Sequence, residues 1–393
     1  MQARRLAVND RIQRVNNSLL GGLSASSFLR RHWQKSPLLV RDAIPGFEGV
    51  VDFRTMVELA GRDDCESRLL LRSHRRWTVE HGPFARRYLL RLPHRSWTLL
   101  VQGVNLFLPE ARQLLSRFDF IPRSRLDDLM VSYAPPGGGV GPHFDSYDVF
   151  LLQGPGRRRW KVGRQDDLTL VEGAPLRILR RFVPQGECVL GPGDLLYLPP
   201  GIAHDGVAVD ACYTYSVGFR APSHQELVSQ FLVFLEERLK PSGRYQDPGL
   251  ATQACPARIG SPMIARVQRA LGHIRWNRGD VAEFLGTYLT EPKPQVVFSP
   301  PRKPLAPKAF LRSARSRGLE LALPAQMLYS GAMLFINGES LAIDAGEARP
   351  LRVLADARRL AGSEVPQAGT AAEVLYHWYR SGYILQAIRA SAT

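Results

Sequence analysis

Short hydrophobic runs separated by glycine, proline and aspartate dominate residues 129–220. Their length and their turn-forming borders are typical of β-strands. Several short strands at this spacing favour a double-sheet barrel or jelly roll. The predicted strands are LMVSY (129–133), YDVFLLQ (147–153), RRWKV (158–162), ECVL (187–190), DLLYL (194–198) and CYTYSVGF (212–219).

The pattern changes from strands to helices after residue 222. Ser223 and Glu226 have the spacing of a capping box, which predicts a helix through about residue 240. Helical periodicity continues in residues 261–274 and 280–289. These helices are apolar enough to need a partner surface, which is either the barrel or a second copy of the chain. The second interpretation, a homodimer, is the one favoured.

A segment rich in proline and lysine, residues 291–308, has the composition of a linker. Beyond it, Asn337-Gly338 stands between two apolar runs and predicts a hairpin with a type I′ turn. Helices predicted at about 349–361 and 371–380 flank the hairpin, which indicates a winged-helix-like module. Such folds bind proteins or nucleic acids. Because the predicted helices are not notably basic, a structural or protein-interaction role is favoured.

The chain therefore has an α+β organisation with several domains. Its 393 residues exceed the roughly 250–300 at which a single hydrophobic core stops growing. The predicted parts are a basic N-terminal extension (1–23), a strand-rich domain (24–222), a helical region (223–290), a linker (291–308) and a winged-helix-like domain (309–393).

Composition narrows the class of protein. No apolar run approaches the roughly 18 residues that span a membrane, and the basic N-terminus lacks the apolar core and cleavage site of a signal peptide. The four cysteines are scattered without a Cys-x-x-Cys pair. This argues against a zinc ribbon or a disulfide framework and predicts a reducing, cytoplasmic location.

The net charge of +16 comes mainly from arginine. A basic surface attracts nucleic acid or ribonucleoprotein. The basic residues are spread along the chain, however, and the runs at 157–159 and 180–181 are short. A general arginine bias of the source explains the charge equally well, so direct RNA binding stays open.

Two histidines and an aspartate fall in distinctive glycine-containing frames. His143 and Asp145 lie in Gly-x5-His-x-Asp, and His204 lies in Gly-x5-Pro-x-Gly-x2-His. Alternation along a strand points residues 143 and 145 to one face, and the Pro-Pro-Gly turn brings His204 from a neighbouring strand. Two imidazoles and one carboxylate form the facial triad of non-haem Fe(II) oxygenases. In isolation, His-x-Asp would indicate only a loop hydrogen-bond pair.

The two frames resemble the metal-binding motifs of the cupin superfamily, with aspartate in place of the second histidine. That replacement occurs in cupin-type oxygenases that use 2-oxoglutarate, including the Jumonji-C group. The distal carboxylate of 2-oxoglutarate requires a bidentate arginine, or a lysine with a hydroxyl.

Arg158 is the candidate for this carboxylate, because alternation puts it on one face with Trp160 and Val162, which should point to the core. A shift of one residue in the strand register would point Arg159 inward instead. The non-functional alternative is that these arginines belong to the solvated, basic end of a hairpin. Ser132, on the strand that enters the glycine cluster, is a candidate for the accompanying hydroxyl. Its alternative is an ordinary strand serine.

Six segments carry a more specific signal. They are HWQKSPLLVRDA (32–43), HGPF (81–84), SWTLLVQGVN (96–105), DDLMVSYAPPGGGVGPHFDSYDVFLLQGPGRRRW (127–160), GDLLYLPPGIAHDG (193–206) and YSVGFRAP (215–222). Taken together, they resemble the bacterial ribosomal oxygenases, the Jumonji-C-like group that hydroxylates ribosomal proteins. The resemblance covers most of residues 24–222 and continues more weakly to the C-terminus. The chain departs from the family in its longer basic N-terminus and in Pro135-Pro136 before the glycines.

This resemblance implies an enzyme that uses Fe(II), 2-oxoglutarate and O2, with a double-stranded β-helix catalytic domain, a helical dimerisation region and a C-terminal winged helix. It implies that the bacterial reaction is hydroxylation of an arginine β-carbon in the large-subunit ribosomal protein numbered sixteen. The family's iron ligands fall on His143, Asp145 and His204, and its 2-oxoglutarate contacts fall on Ser132 and Arg158.

Other functions remain open at this point. The family's eukaryotic relatives hydroxylate histidine in other ribosomal proteins, so the target is less secure than the reaction type. A histone-directed or small-molecule oxygenase would use the same metal site. A non-catalytic metal-binding module associated with the ribosome or with nucleic acid is the third alternative, against which the intact triad argues.

Overall fold

The computed structural model describes residues 19–73 and 76–387. Most of the predicted N-terminal extension, residues 1–18, lies outside the described residues. The helices are α1 (Ala25–Arg31), α2 (Phe53–Ala60), α3 (Arg86–Leu89), α4 (Pro109–Ser116), α5 (His224–Arg238), α6 (Ser261–Leu271), α7 (Arg278–Thr290), α8 (Pro307–Arg317), α9 (Ala348–Ala357) and α10 (Thr370–Ser381).

The strands fall into an N-terminal set and a C-terminal set. The first comprises β1 (Leu38–Val40), β2 (Ser67–Ser73), β3 (Arg76–His81), β4 (Trp97–Val101), β5 (Leu126–Ala134), β6 (Val149–Gln153), β7 (Arg158–Gly163), β8 (Gly186–Leu190), β9 (Leu195–Leu198), β10 (Ala203–Ala208) and β11 (Cys212–Phe219). The second comprises β12 (Leu319–Leu321), β13 (Met327–Ser330), β14 (Met333–Ile336), β15 (Glu339–Ala342), β16 (Arg359–Leu360) and β17 (Ile384–Gln386).

Two antiparallel sheets form the predicted double-sheet barrel. The larger has the strand order β1-β9-β6-β11-β5-β4-β2-β3, and the smaller has the order β10-β7-β8. Buried side chains of both sheets, including Leu151, Trp160, Leu190 and Leu196, form one hydrophobic cluster. The burial of apolar surface from both sheets in that cluster holds them together.

Helices cover the other face of the larger sheet. Phe28 of α1 is fully buried, with its ring centroid 5.4 Å from that of Phe150 and 4.9 Å from that of Tyr197. Phe150 and Tyr197 are direct partners across β6 and β9. These strands are therefore buried on both faces, which is why they read as continuous apolar runs.

The C-terminal hairpin forms as predicted. Asn337 and Gly338 both have positive φ, 51° and 87°, as a type I′ turn requires. Helix α7 packs against this hairpin so closely that a Cβ on Gly286 would lie 2.3 Å from the Phe335 ring. The predicted helix at 349–361 ends earlier, at Ala357, because the following residue takes a left-handed conformation and the chain enters β16.

None of the helices in the described ranges combines the length and the apolar character needed to cross a membrane.

Candidate metal and co-substrate site

The three predicted metal ligands lie together. One candidate ligand atom from each of His143, Asp145 and His204 lies within 4.8 Å of the others. His204 Nε2 and Asp145 Oδ2 are 3.6 Å apart. Donors this close fit around one metal ion with ligand distances of about 2 Å. Two imidazoles and one carboxylate suit iron and leave positions for other ligands.

The imidazole of His204 is held in a form that can bind a metal. His204 is 2% exposed, and burial together with the neighbouring His143 lowers the pKa of His204 to about 4. A neutral ring offers a nitrogen lone pair to a metal. The Nδ1 atoms of His143 and His204 lie 2.8 and 2.9 Å from the carbonyl oxygens of Gly141 and Ile202. With the proton assigned to Nδ1, each Nε2 is free for the metal.

Glycines allow the backbone beside the ligands to pack tightly. A Cβ on Gly138 would lie 2.1 Å from the carbonyl oxygen of Trp97, and one on Gly139 would lie 2.5 Å from that of Gly206. Real Cβ atoms do not approach backbone oxygens so closely. The glycine segment is therefore fitted between β4 and β10, the strand that carries His204.

Arg158 lies buried in the same cavity, at 2% exposure. Burial along β7 alternates as the strand pattern predicted, with Arg158 inside and Arg159 outside. Arg159 pairs with Glu187 at 3.2 Å on the exposed side. By contrast, Nε and Nη2 of Arg158 have no hydrogen-bond partner among the described residues. Because a buried, unpaired charge costs several kcal/mol, this guanidinium is suited to an anionic ligand.

Ser132 is buried in the wall of the same cavity. Its hydroxyl makes one long hydrogen bond, 3.5 Å, to the carbonyl oxygen of Thr214. A hydroxyl so weakly engaged retains capacity for a ligand beside Arg158. The structure thus brings all five predicted site residues into one cavity.

That cavity has a volume of about 450 Å³. It is lined by further polar residues that were not predicted from the sequence. Asp128 lies on the same face of β5 as Ser132, four positions earlier, and Asp127 is its neighbour. Strand alternation from Ser132 would have identified Asp128. Residues 175–178, between β7 and β8, supply another wall. Within them, the Arg177 guanidinium lies 5.1 Å from the ring centroid of Phe144.

Two parts of the chain match known family models. Residues 113–227 match the JmjC domain, and residues 273–384 match the ROXA-like winged helix. The first match contains the three predicted metal ligands, His143, Asp145 and His204, as well as Arg158 and Ser132. The second begins before the predicted linker and includes α7.

Relatives are found among curated proteins and solved structures. The chain is 34% identical over 326 residues to the ribosomal protein uL16 3-hydroxylase of Escherichia coli, over 81% of this chain and 86% of that one. It is 43% identical over 206 residues to a probable ribosomal oxygenase of Haemophilus influenzae, about half of each chain. YcfD, a ribosomal oxygenase from Escherichia coli solved with cobalt and 2-oxoglutarate, superposes with a TM-score of 0.79 at 32% identity. That superposition covers 93% of this chain and 98% of the other.

Proposed function

The chain belongs to the JmjC-type ribosomal oxygenase family, and on that premise we propose that it hydroxylates the β-carbon of an arginine in ribosomal protein uL16. The protein is a 2-oxoglutarate- and Fe(II)-dependent protein hydroxylase. The choice of uL16 follows the relative that is 34% identical over most of the chain. The choice of arginine follows the family resemblance and the two neighbouring carboxylates, Asp127 and Asp128, in the cavity wall.

One observation carries the proposal: a buried guanidinium with unpaired nitrogens shares a cavity with two imidazoles and a carboxylate. His143, Asp145 and His204 would hold Fe(II), and Arg158 with Ser132 would hold the distal carboxylate of 2-oxoglutarate. When bound, iron and 2-oxoglutarate activate O2 so that one oxygen atom enters a C–H bond while succinate and carbon dioxide form. The chain itself supplies binding, orientation and a shielded environment.

Each protein group has a defined task in that arrangement. The Gly141 and Ile202 carbonyls fix the orientation of the two imidazoles, so that the same nitrogen of each faces the cavity. Arg158 neutralises the distal carboxylate, and its guanidinium carbon lies 5.9 Å from the centroid of the Trp160 ring, which lines the same cavity. Exclusion of water strengthens the charge pairing at Arg158.

The cavity is also suited to a cationic substrate side chain. Asp127 and Asp128 line it, as does Tyr147. Carboxylates bind a guanidinium through charge-assisted hydrogen bonds. A histidine target, the alternative for this fold, would gain less from two carboxylates because a neutral imidazole carries no charge. Asp127 and Asp128 therefore favour arginine over histidine as the target residue.

The proposed partners are the ribosomal protein and a second copy of this chain. Apolar side chains stand exposed on two of the predicted dimerisation helices: Val228, Leu232 and Val233 on α5, and Met263, Ile264, Val267 and Leu271 on α6. Covering such a face in a homodimer would remove apolar surface from water. Direct RNA binding by the winged helix remains a secondary proposal, based on the net charge of +16.

We also propose a cytoplasmic location, where ribosomal proteins are available and the free cysteines of the described residues stay reduced. The predicted division into 24–222, 223–290, 291–308 and 309–393 stays a prediction. The packing of α7 on β13, β14 and β15 attaches the end of the helical region to the winged-helix unit.

The test is substrate-dependent formation of succinate. Enzyme, Fe(II), ascorbate and 2-oxoglutarate are incubated with uL16, or with uL16 in which the arginine found by mass spectrometry to gain oxygen is replaced by lysine. We expect succinate formation to rise with wild-type uL16 only. Equal succinate with both proteins would remove the arginine assignment, and none with either would remove uL16 as the substrate.

A further inference from the structure

Lys293 lies beside the two carboxylates that line the substrate side of the cavity. Its Nζ is 3.1 Å from Asp128 Oδ2 and 3.4 Å from Asp127 Oδ1. Lys293 follows α7 and is 165 positions from Asp128 in the sequence. A residue from beyond the helical region thus contacts two carboxylates of the cavity wall.

The backbone around Lys293 is restricted. Pro292 and Pro294 flank it, and proline limits both its own φ and the conformation of the residue before it. At the end of α7, the Thr290 hydroxyl accepts a hydrogen bond of 3.0 Å from the backbone N–H of Gly338. Only 30% of the Lys293 side chain is exposed. Its ammonium is therefore presented by an anchored segment and is not a freely moving surface charge.

A cation beside Asp128 favours the ionised form of its carboxyl group. It is 3% exposed, and burial together with the negative charge of Asp127 raises its pKa. Lys293 and the side-chain amide of Gln102 act in the opposite direction. Among the described residues, the other cation paired with the two carboxylates is Arg220, whose Nε is 3.8 Å from Asp127 Oδ1.

Of the other titratable groups that line this cavity, Tyr147 lies close enough to interact with the charges of Asp127 and Asp128. None makes an ion pair with Asp127 or Asp128 among the described residues. Apart from the predicted metal ligands and Arg158, the titratable groups lining it are Arg68, Tyr147 and Arg177.

Asp128 retains room for a substrate after these contacts. A carboxylate has about four acceptor positions. Gln102 Nε2 donates to both oxygens, at 2.9 and 2.8 Å, and Lys293 donates to one of them at 3.1 Å. About one position is left on Asp128, and Asp127 supplies more. Lys293 therefore leaves acceptor positions on Asp127 and Asp128 for a substrate.

We propose that Lys293 is a positioning residue, which holds Asp127 and Asp128 as a charged and oriented site for the guanidinium of the substrate arginine. This inference rests on the proposed function. It assigns to the segment after α7 a part in substrate affinity. It also makes that affinity depend on pH, because the carboxylates attract a guanidinium only when ionised.

The test compares Lys293→Met with Lys293→Arg in full-length enzyme, with a uL16 peptide that contains the target arginine. We expect Lys293→Met to raise the KM for the peptide by about tenfold, while its kcat and the KM for 2-oxoglutarate stay close to wild type. The increase in KM should be largest at low pH and should shrink as the pH rises, because Asp128 without Lys293 takes up a proton more readily. Lys293→Arg should restore most of the affinity.

Lys308→Met removes an exposed lysine and is the matched control for the loss of one positive charge. Thermal stabilisation by 2-oxoglutarate reports whether each variant is folded. If Lys293→Met does not fold, Lys293→Gln replaces it.

An unchanged peptide KM and pH profile in a folded Lys293 variant would overturn the inference. A lower KM would overturn it too, because Lys293 would then compete with the substrate. If wild-type enzyme shows no peptide-dependent succinate, it is the proposed function that fails.

Discussion

His143 and His204 exchange a pair of backbone hydrogen bonds across an isolated antiparallel bridge. The N–H of His143 donates to the His204 carbonyl at 2.9 Å, and the reverse bond is 2.8 Å. Near them, the carbonyl of Asp145 accepts a hydrogen bond from the N–H of Gly201. Main-chain pairing therefore positions the three predicted ligands, and this frame should persist when one side chain is removed.

Asp145→Ala should lose the metal without losing the fold. We expect bound iron to fall to less than about a tenth of the wild-type amount, with succinate formation lost. Unfolding of the metal-free protein should change by less than about 1 kcal/mol. Metal analysis after gel filtration and thermal unfolding measure these effects. Asp166→Ala, on an exposed loop position, is the control, and iron retained by Asp145→Ala would refute the ligand assignment.

Arg158→Met should separate co-substrate binding from folding. Charge-assisted hydrogen bonds contribute about 1.5–3 kcal/mol, so the KM for 2-oxoglutarate should rise at least about tenfold. Without 2-oxoglutarate, the variant should be as stable as wild type or more stable, because an unpaired buried charge is gone. Arg159→Met, on the exposed face, should leave that KM unchanged. If Arg159→Met raises the KM for 2-oxoglutarate and Arg158→Met does not, the assignment of Arg158 as the inward-facing residue is wrong.

Gly138→Ala should disturb the ligand frame through the backbone. The added Cβ would meet the Trp97 carbonyl oxygen at 2.1 Å, so either β4 or the glycine segment must shift. We expect a loss of about 1–3 kcal/mol in the free energy of unfolding and weaker iron binding. Gly191→Ala is the matched control, since nothing lies within 4 Å of its added Cβ. Equal stability of the two variants in denaturant titration would contradict the close packing.

The exposed apolar faces of α5 and α6 predict the oligomeric state. Leu232→Glu combined with Ile264→Glu should convert a dimer to a monomer in sedimentation velocity, because charges in a buried apolar interface are costly. Leu250→Glu adds a charge at an exposed leucine between the two helices and should leave the dimer intact. A wild-type protein that sediments as a monomer would show that these faces do not mediate self-association.

Much of the barrel was predictable because its strands are short apolar runs bordered by turn-forming residues, a pattern that is visible in the local sequence. The six predicted strands all appear, and the burial alternation of β7 puts Arg158 inside, as strand parity required. The hairpin at Asn337-Gly338 was predictable for the same reason, since the turn chemistry is local. The Ser223 cap also forms.

The remaining features depend on pairing between distant segments. Strand β10 carries His204. The Pro-Pro-Gly turn predicted a neighbouring strand there, but its bounds could not be predicted, because Asp205 and Gly206 interrupt any apolar alternation. It is a strand because it pairs with β7, where Gly206 leaves room for the Trp160 ring. The ion pair of Lys293 with Asp128 could not be predicted from local sequence either, because it joins residues on opposite sides of the helical region.

The most direct test of the proposed hydroxylase activity is mass spectrometry of uL16 after incubation with the enzyme, Fe(II), ascorbate and 2-oxoglutarate. We predict that one arginine gains the mass of a single oxygen atom, with fragment ions that place it on the β-carbon. The gain should be absent without 2-oxoglutarate and absent with Asp145→Ala. Unmodified uL16 in the presence of an iron-loaded enzyme that produces succinate would contradict the substrate assignment, and modification of a histidine would contradict the choice of arginine.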